Sequence, residues 1–370
     1  MAGHSVPVDF RVNPAKISNP VERKTLLQDM LPLIEPFTGS LSEISVCEVP
    51  GGNFVALYAS DTMTLSVKLY SNGLVTATVE YYTDQVNEHK IANDTHGRAL
   101  EKQLMAKFGC SVAKVLPAIK RAPPVNPYFT SSDDRLLEYD VDGIVFEEQS
   151  EFQKVQIYST KSFGNLLVLD DLQNLAEKDL PYTHGLMNKD NEDFAGKEIL
   201  ILGGGDGALL WELLKEKPKF VTMIDIDDVV MKACRKHMKS VCGTCMDNYD
   251  GENYKIIVGD AIAYMKDYIK EGKQFDYVFG DLTDVPISPT PRGQLWDFLR
   301  TILGLGMQCV KPGTGKYMTH AIGIQCASAL KMFEEQFEAQ DIPVTLTRTS
   351  HYVPSFMEFW CFYQATRKAA

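Results

Sequence analysis

A series of aspartates falls where apolar runs give way to loops. Asp206 stands in Gly203-Gly204-Gly205-Asp206-Gly207, directly after Ile199-Leu200-Ile201-Leu202. Asp225 and Asp227 end KFVTMIDID, Asp260 ends YKIIVGD, and Asp281 ends FDYVFGD. A short buried strand running into clustered glycines lets backbone approach a nucleotide-like ligand at the carboxyl edge of a doubly wound sheet. Gly203 and Gly205 are therefore candidate ligand-binding positions. A carboxylate among them would repel a phosphate but attract a cation. An acid ending the second strand accepts hydrogen bonds from ribose hydroxyls, and Asp260 is placed to meet an adenine amine. One strand-end acid is often only a helix cap; acids at four successive strand ends are harder to explain that way. Ribose and adenine account for two, leaving Asp206 and Asp281 for something cationic.

These acids need a scaffold of alternating strands and helices. EILIL, KFVTMIDID, YKIIVGD, FDYVFGD and GKYMTHA read as strands, with helices between them such as ALLWELLKEK and AIAYMKDYIKE. This pattern predicts a Rossmann-like doubly wound α/β catalytic domain over 179–370. Upstream, RLLEYDVDGIVFEEQ, FQKVQIYST and GNLLVLDD read as strands of a small β-rich central domain over 123–178, with Asp170 and Asp171 ending the third. An N-terminal α+β domain and its linker occupy 1–122. There a helical stretch at 21–37, disturbed late by Pro32 and Pro36, precedes four strand-like runs and a polar helix at 98–109. The proline-rich PAIKRAPPVNP at 117–127 reads as a stiff linker.

Composition bounds the function. At 370 residues, 45% apolar and 23% charged, the chain is ordinary for a soluble globular protein. A net charge of -12 argues against a general nucleic-acid binder and suits a cationic substrate. The N-terminus lacks the charged and apolar regions of a signal peptide, and no apolar run reaches membrane-spanning length. The 8 scattered cysteines suit a reducing compartment. A cytoplasmic protein is expected. Cys234, His237, Cys242 and Cys245 approach zinc-ligand spacing, but they fall on a predicted helix and its loop within a large domain. Buried or loop thiols are the expectation there, with no metal site.

GGGDG departs from the spaced G-x-G-x-x-G of dinucleotide enzymes. Adenosylmethionine-type ligands have no pyrophosphate and carry a sulfonium cation, which suits an acid-rich crevice. Together with the Gly-Asp-Ala turn at Asp260, GDLTDVPIS around Asp281, EFQKVQIYSTKSFGNLLVLDD, AEKDLPYTHGLM and the late VPSFMEFW, the loop resembles the aminopropyltransferases, or polyamine synthases. The likeness covers most of 123–370. LTDVPIS, VPSFMEFW and the extra N-terminal domain are similar to the animal spermine synthases within that family, whose N-terminal domain mediates dimerisation and resembles adenosylmethionine decarboxylase.

The resemblance implies roles. Asp281 matches the proton acceptor and Asp206 the acid holding substrate amines. Gln153, Asp225, Asp260 and Ala261 match positions binding decarboxylated S-adenosylmethionine, a co-substrate, so no cofactor is implied. Tyr182, Phe356 and Glu358 match the polyamine site. Asp225 stands where the family usually has glutamate, and Phe356 where spermine synthases can carry a tyrosine. Gln173 matches a glutamine of spermidine synthases. His184 is expected only to cap or pack a helix.

The implied partners are spermidine, decarboxylated S-adenosylmethionine and a second copy of the chain, without nucleic acid or membrane. The implied reaction gives spermine and 5'-methylthioadenosine. A free amine of pKa ~10 is protonated at neutral pH and cannot attack, so a carboxylate must take its proton. Three alternatives stay open: a spermidine synthase using putrescine, an inactive dimer-forming binding module, and a methyltransferase using adenosylmethionine itself.

Overall fold

The structure, a computed structural model, describes residues 2–83, 94–282 and 284–369. Thr283, inside the LTDVPIS motif, lies outside the described residues. The chain forms two compact units, Met1–Asn126 and Pro127–Ala370.

Alternation in the opening residues builds the middle of the first unit. Strand β1 (Ala2–Arg11) buries Val6, Val8 and Phe10. Helices α1 (Ala15–Ser18) and α2 (Pro20–Thr38) follow, then β2 (Ser42–Val49), β3 (Asn53–Ala59), β4 (Met63–Leu69), β5 (Leu74–Thr83), α3 (Asp94–Phe108), β6 (Ala113–Val115) and β7 (Ile119–Arg121). The antiparallel sheet runs β2-β3-β4-β5-β1-β6, with β7 also beside β1. Strand β1 is not among the elements expected from the sequence, and its Pro7 is a residue that interior strands rarely hold. Pro7 is tolerated because it faces the gap between β6 and β7. Its carbonyl accepts the Leu116 N–H at 2.9 Å, and no amide is required of it.

Two further expectations change. Helix α2 continues through Pro32 and Pro36, which lie four residues apart on its exposed face. The carbonyls that lose a partner there are open to water, so the helix survives. Asn19 caps its start, accepting the Val21 and Glu22 N–H groups. The expected linker is shorter than 117–127, because β7 pairs with Gly3–Ser5.

The second unit begins with the hairpin β8 (Tyr128–Thr130) and β9 (Leu136–Glu138). A four-stranded antiparallel sheet follows: β10 (Val141–Gln149), β11 (Lys154–Thr160), β12 (Gly164–Leu169) and β13 (Leu172–Ala176). RLLEYDVDGIVFEEQ is thus two strands. Asp170 and Asp171, at φ 47° and 62°, form a two-residue turn into β13, a strand the sequence reading missed. This section does not stand apart as 123–178. Its Val155, Ile157, Leu167 and Leu175 share one core with the residues that follow, and Ser150, Gln153 and Ser132 bond to acids of the larger sheet.

The remaining elements are α4 (Leu180–Met187), β14 (Glu198–Gly203), α5 (Ala208–Lys215), β15 (Phe220–Asp225), α6 (Asp228–His237), α7 (Lys239–Cys242), β16 (Tyr254–Val258), α8 (Ala261–Lys270), β17 (Tyr277–Asp281), α9 (Gln294–Cys309), β18 (Lys316–Gly323), α10 (Ala327–Glu338), β19 (Val344–Val353) and β20 (Glu358–Arg367). Their sheet runs β16-β15-β14-β17-β18-β20-β19. The first five pair in parallel, whereas β20 is antiparallel to both β18 and β19. Ile199, Leu200, Ile201 and Leu202 are fully buried, as a strand covered on both faces requires. Strand order reverses between β14 and β17, where crossovers diverge and open a crevice. Register puts Gly203 opposite Asp281 at that point. Among the described residues no helix is long and apolar enough to cross a membrane.

Candidate active site

The reversal of strand order makes the site, and two glycines let the backbone close around it. Gly203 has φ +84°, and a Cβ there would lie 2.0 Å from the Asp281 carbonyl oxygen. The adjoining Gly204 N–H donates to that same carbonyl at 3.1 Å. At Gly205 a Cβ would stand 2.7 Å from Asp225 Oδ2. The glycines thus let two acids come up against the loop. Gly203→Ala should destabilise the protein by ~3 kcal/mol or more, combining a disfavoured φ with a backbone clash; denaturant unfolding would measure it.

A cavity of about 560 Å³ opens over these strand ends. Of the residues expected to bind the nucleoside, Gln153, Gly203, Gly205, Asp225, Asp260 and Ala261 all line it. Asp260 caps α8, its Oδ1 accepting the Ile262 N–H at 2.8 Å. Asp225 Oδ1 accepts the Asp227 N–H at 2.8 Å, leaving Oδ2 against the glycine loop. Gln153 Nε2 donates to Asp227 Oδ2 at 3.0 Å, and the Ser150 hydroxyl donates to the same oxygen at 2.8 Å. Asp227, which also caps α6, therefore fixes Gln153 at the cavity wall.

Asp206, Asp281, Tyr182 and Phe356 line the same cavity. The Tyr182 hydroxyl donates to Asp281 Oδ1 at 3.0 Å. Its ring meets Phe356 and Phe362 edge-on, with centroids 6.0 and 5.4 Å away. Asp206 Oδ1 accepts the Ala208 N–H at 2.7 Å, so its backbone-facing oxygen serves as a cap. Burial and the nearby Asp281 push its pKa up to about 7. Burial raises Asp281 as well, against the opposing pull of His320 and the Tyr182 hydrogen bond. Burial raises Asp225 to about 6. Two carboxylates that resist ionisation in the same cavity are suited to a cation, which restores their charge.

Glu358 departs from expectation. It is buried but does not line the cavity. Ser132 satisfies it instead, its N–H and hydroxyl donating at 3.0 and 2.6 Å. The buried carboxylate needed a partner, and the turn between β8 and β9 supplies one. Strand β20 is also interior, not an edge. Gln173 lines the cavity, with the Tyr139 hydroxyl at its Oε1. His184 faces away, 3.0 Å from Glu212.

The cysteines behave as packed thiols. Cys245 Sγ donates to the Gly207 and Cys242 carbonyls, and Cys242 Sγ to those of Cys234 and Met238. Burial raises the Cys242 pKa to about 11.

Sequence reasoning missed three residues. Asp179 is buried, and its carboxylate accepts the N–H and hydroxyl of Ser355 at 2.9 and 2.5 Å and the Ala176 N–H at 2.7 Å. It ties the start of α4, which carries Tyr182, to the loop carrying Phe356. His320 and Asp284 also line the cavity. His320 lies on the fifth strand of the alternation, beside a strand end already singled out, and that position was the available signal.

Two family models match the chain. One, described as the spermine/spermidine synthase domain, spans residues 182–370. The chain belongs to the spermine/spermidine synthase family. The second model, described as the spermidine synthase tetramerisation domain, spans residues 128–177. Both family segments thus lie within the unit that carries the cavity.

The curated relatives agree with the family. The chain is 30% identical to a polyamine aminopropyltransferase of Shigella boydii over 152 residues, 40% of this chain and 50% of that protein. It is 29% identical to one of Hyperthermus butylicus over 238 residues, 62% of this chain and 77% of that protein. A third, of Stenotrophomonas maltophilia, is 34% identical over 154 residues, 41% of this chain and 52% of that protein. The chain therefore spans about half the length of the first and third relatives.

Solved structures of the family share the fold. The spermidine synthase of Thermotoga maritima matches with a TM-score of 0.53 at 18% identity, covering 66% of this chain and 79% of that one. A spermidine synthase in complex with the transition-state analogue AdoDATO matches with a TM-score of 0.52 at 19% identity, covering 66% and 80%. These likenesses support the Rossmann-like α/β core and the β-rich section before it.

Proposed function

We propose that the chain is an aminopropyltransferase that joins the aminopropyl group of decarboxylated S-adenosylmethionine to spermidine. The observation that carries this reading is the pairing of Asp206 and Asp281 in one cavity, with Tyr182 bonded to Asp281. The adenosyl part would occupy the end lined by Gln153, Asp225, Asp260 and Ala261. The amine would lie at the end lined by Asp206, Tyr182 and Phe356.

The chemistry needs little beyond position and charge. The amine nitrogen attacks the carbon attached to sulfur, the C–N bond forms, and the C–S bond breaks with its electron pair going to sulfur. Methylthioadenosine leaves as a neutral thioether, so neither an acid nor a metal has to assist it. The incoming ammonium must first lose a proton, and Asp281 is the acceptor. Asp206 holds the neighbouring charge of the polyamine, and alignment of nitrogen, carbon and sulfur supplies much of the rate.

Spermidine as acceptor rests on the VPSFMEFW segment, which delivers Phe356 to the cavity, and on the additional N-terminal unit. Putrescine is the second reading, favoured by Gln173 in the lining. Release of methylthioadenosine with each amine, at equal concentration, separates them. Spermidine should give the higher kcat/KM by at least about tenfold, as expected when a site makes polar contacts to only one acceptor. Faster turnover of putrescine would overturn the choice, and no release with either amine would leave only a binding role. Self-association belongs to the same proposal: residues 128–177 match a domain described by tetramerisation, and the N-terminal unit is our candidate for a dimer contact. We place the enzyme in the cytoplasm.

A further inference from the structure

We infer that His320 and Asp284 form an exit route for the proton that Asp281 takes from the attacking amine. This rests on the assignment of Asp281 as the proton acceptor, and it concerns where that proton goes next. With both substrates in place, Asp281 is enclosed. Its side chain is only 10% exposed, and the cavity through which water reaches it is the one the substrates fill. A base that keeps its proton until the products leave loses the negative charge that would stabilise the forming ammonium.

His320 stands between this buried acid and the surface. Its side chain is 5% exposed, with Nε2 at 3.9 Å from Asp281 Oδ1. On its other side, Nδ1 lies 3.4 Å from Oδ1 of Asp284, whose side chain is 58% exposed. Nδ1 is buried and has no aligned hydrogen-bond partner. A buried polar nitrogen left in that state costs free energy unless something uses it. A small movement of the exposed Asp284 side chain completes the bond. The 3.9 Å gap on the other side is one that a slight shift or a bridging water spans.

Among the described residues, the titratable groups that face this histidine are Tyr182, Asp281 and Asp284. Helix α4 brings Tyr182, whose ring centroid is 5.7 Å from that of His320. Strand β17 brings Asp281, and the loop after it brings Asp284. Strand β20 places Phe362 opposite His320, and Glu358 farther along that strand is held by Ser132. Helix α10 directs Glu334 to Arg348 and Tyr363, and His184 of α4 bonds to Glu212. Burial is the largest single effect on His320 and lowers its pKa, but the two aspartates together outweigh it and leave the pKa above the ordinary histidine value.

The transfer balances within these groups. The ammonium gives its proton to the Asp281 carboxylate. Asp281 then gives a proton to Nε2 of neutral His320, while the proton on Nδ1 passes to Asp284 and on to water. The ring ends as the other tautomer; once the products have left, Nε2 gives its proton to water in the emptied cavity while Nδ1 takes one back from water through Asp284, which resets it. His320 touches no reacting atom and acts through Asp281.

The test compares the wild-type full chain with His320→Gln, His320→Ala and Asp284→Asn. Methylthioadenosine release would be followed from pH 6 to 9, and methylthioadenosine binding by calorimetry would report an intact site. For His320→Gln we expect kcat to fall about 10²-fold, the lower end of a proton-transfer contribution, with both KM values within about threefold. The acidic limb that His320 protonation imposes on kcat should disappear. Imidazole should restore part of the rate to His320→Ala, and Asp284→Asn should lose less, since water reaches that end. A wild-type kcat and pH profile in His320→Gln would overturn the route, as would a loss confined to KM or no rescue of a His320→Ala protein that still binds methylthioadenosine. Absence of release by the wild-type chain with any amine would instead overturn the proposed function beneath it.

Discussion

Asp281→Asn should lower kcat by about 10³-fold or more while nucleoside binding changes only a few-fold, because a general base contributes roughly 10²–10⁴ and here no neighbour replaces it. The amide is nearly isosteric with the carboxylate. Its oxygen can still accept the Tyr182 hydroxyl, and the Asp281 carbonyl that meets the glycine loop is untouched. What disappears is the capacity to take a proton. Asp206 cannot stand in, because its Oδ1 is committed to the Ala208 N–H and its charge is needed to hold the amine. Single-turnover release of methylthioadenosine, beside calorimetric binding of the same nucleoside, separates the two effects. A variant within tenfold of the wild-type rate would refute the assigned base.

Asp206→Asn should give a more stable but poorly active protein. In the ligand-free chain, burial and Asp281 raise Asp206 from the ordinary 3.8 to about 7. The folded state therefore binds this proton more tightly than the unfolded chain does. Its contribution to stability is fully present below about pH 4 and is lost as pH rises through about 7. Asparagine removes that loss. Melting temperatures of variant and wild type should nearly coincide at about pH 4 and separate as pH rises to 8, the variant melting higher by about 2–4 °C for each ~1 kcal/mol of relieved repulsion. The same change should raise KM for the amine by roughly 10²-fold, since a desolvated cation loses its partner. A variant less stable than wild type at pH 8 would contradict the charge argument. Binding of the polyamine to wild type should also release a proton near neutral pH, visible as buffer-dependent heat.

Much of this arrangement was legible in the sequence, and the reasons are specific. Ile199 to Leu202 form an unbroken apolar run, and the glycines after it fix where the strand must end. Asp225, Asp260 and Asp281 follow comparable runs, so the register of the pattern alone places them on one edge. Contacts between distant segments were not legible. Nothing near Glu358 announces Ser132 as its partner, and nothing near Asp179 announces Ser355. Strand β1 was hidden by Pro7, whose tolerance depends on a gap between two strands more than 100 residues later. His320 carries no comparable mark, because it sits within the apolar strand GKYMTHA and its partner Asp284 lies on the loop after another strand. Short loops and strands mark a β-rich section up to 178, but only side chains such as Gln153 and Ser150, reaching Asp227, show what it is fastened to.

The position of β20 bears on how the cavity comes into being. This strand is last in order along the described chain, yet it lies inside the sheet, and β19 has no other strand beside it. During synthesis β18 must therefore wait with one side open until β20 arrives and inserts. Phe356 and the Ser355 clasp on Asp179 reach their places only with that insertion. Contacts so far apart along the chain form late and slowly. A chain without β20 would then have its glycine loop and acids in place but no closed pocket around them, so competence to bind a ligand would mark the insertion of that strand.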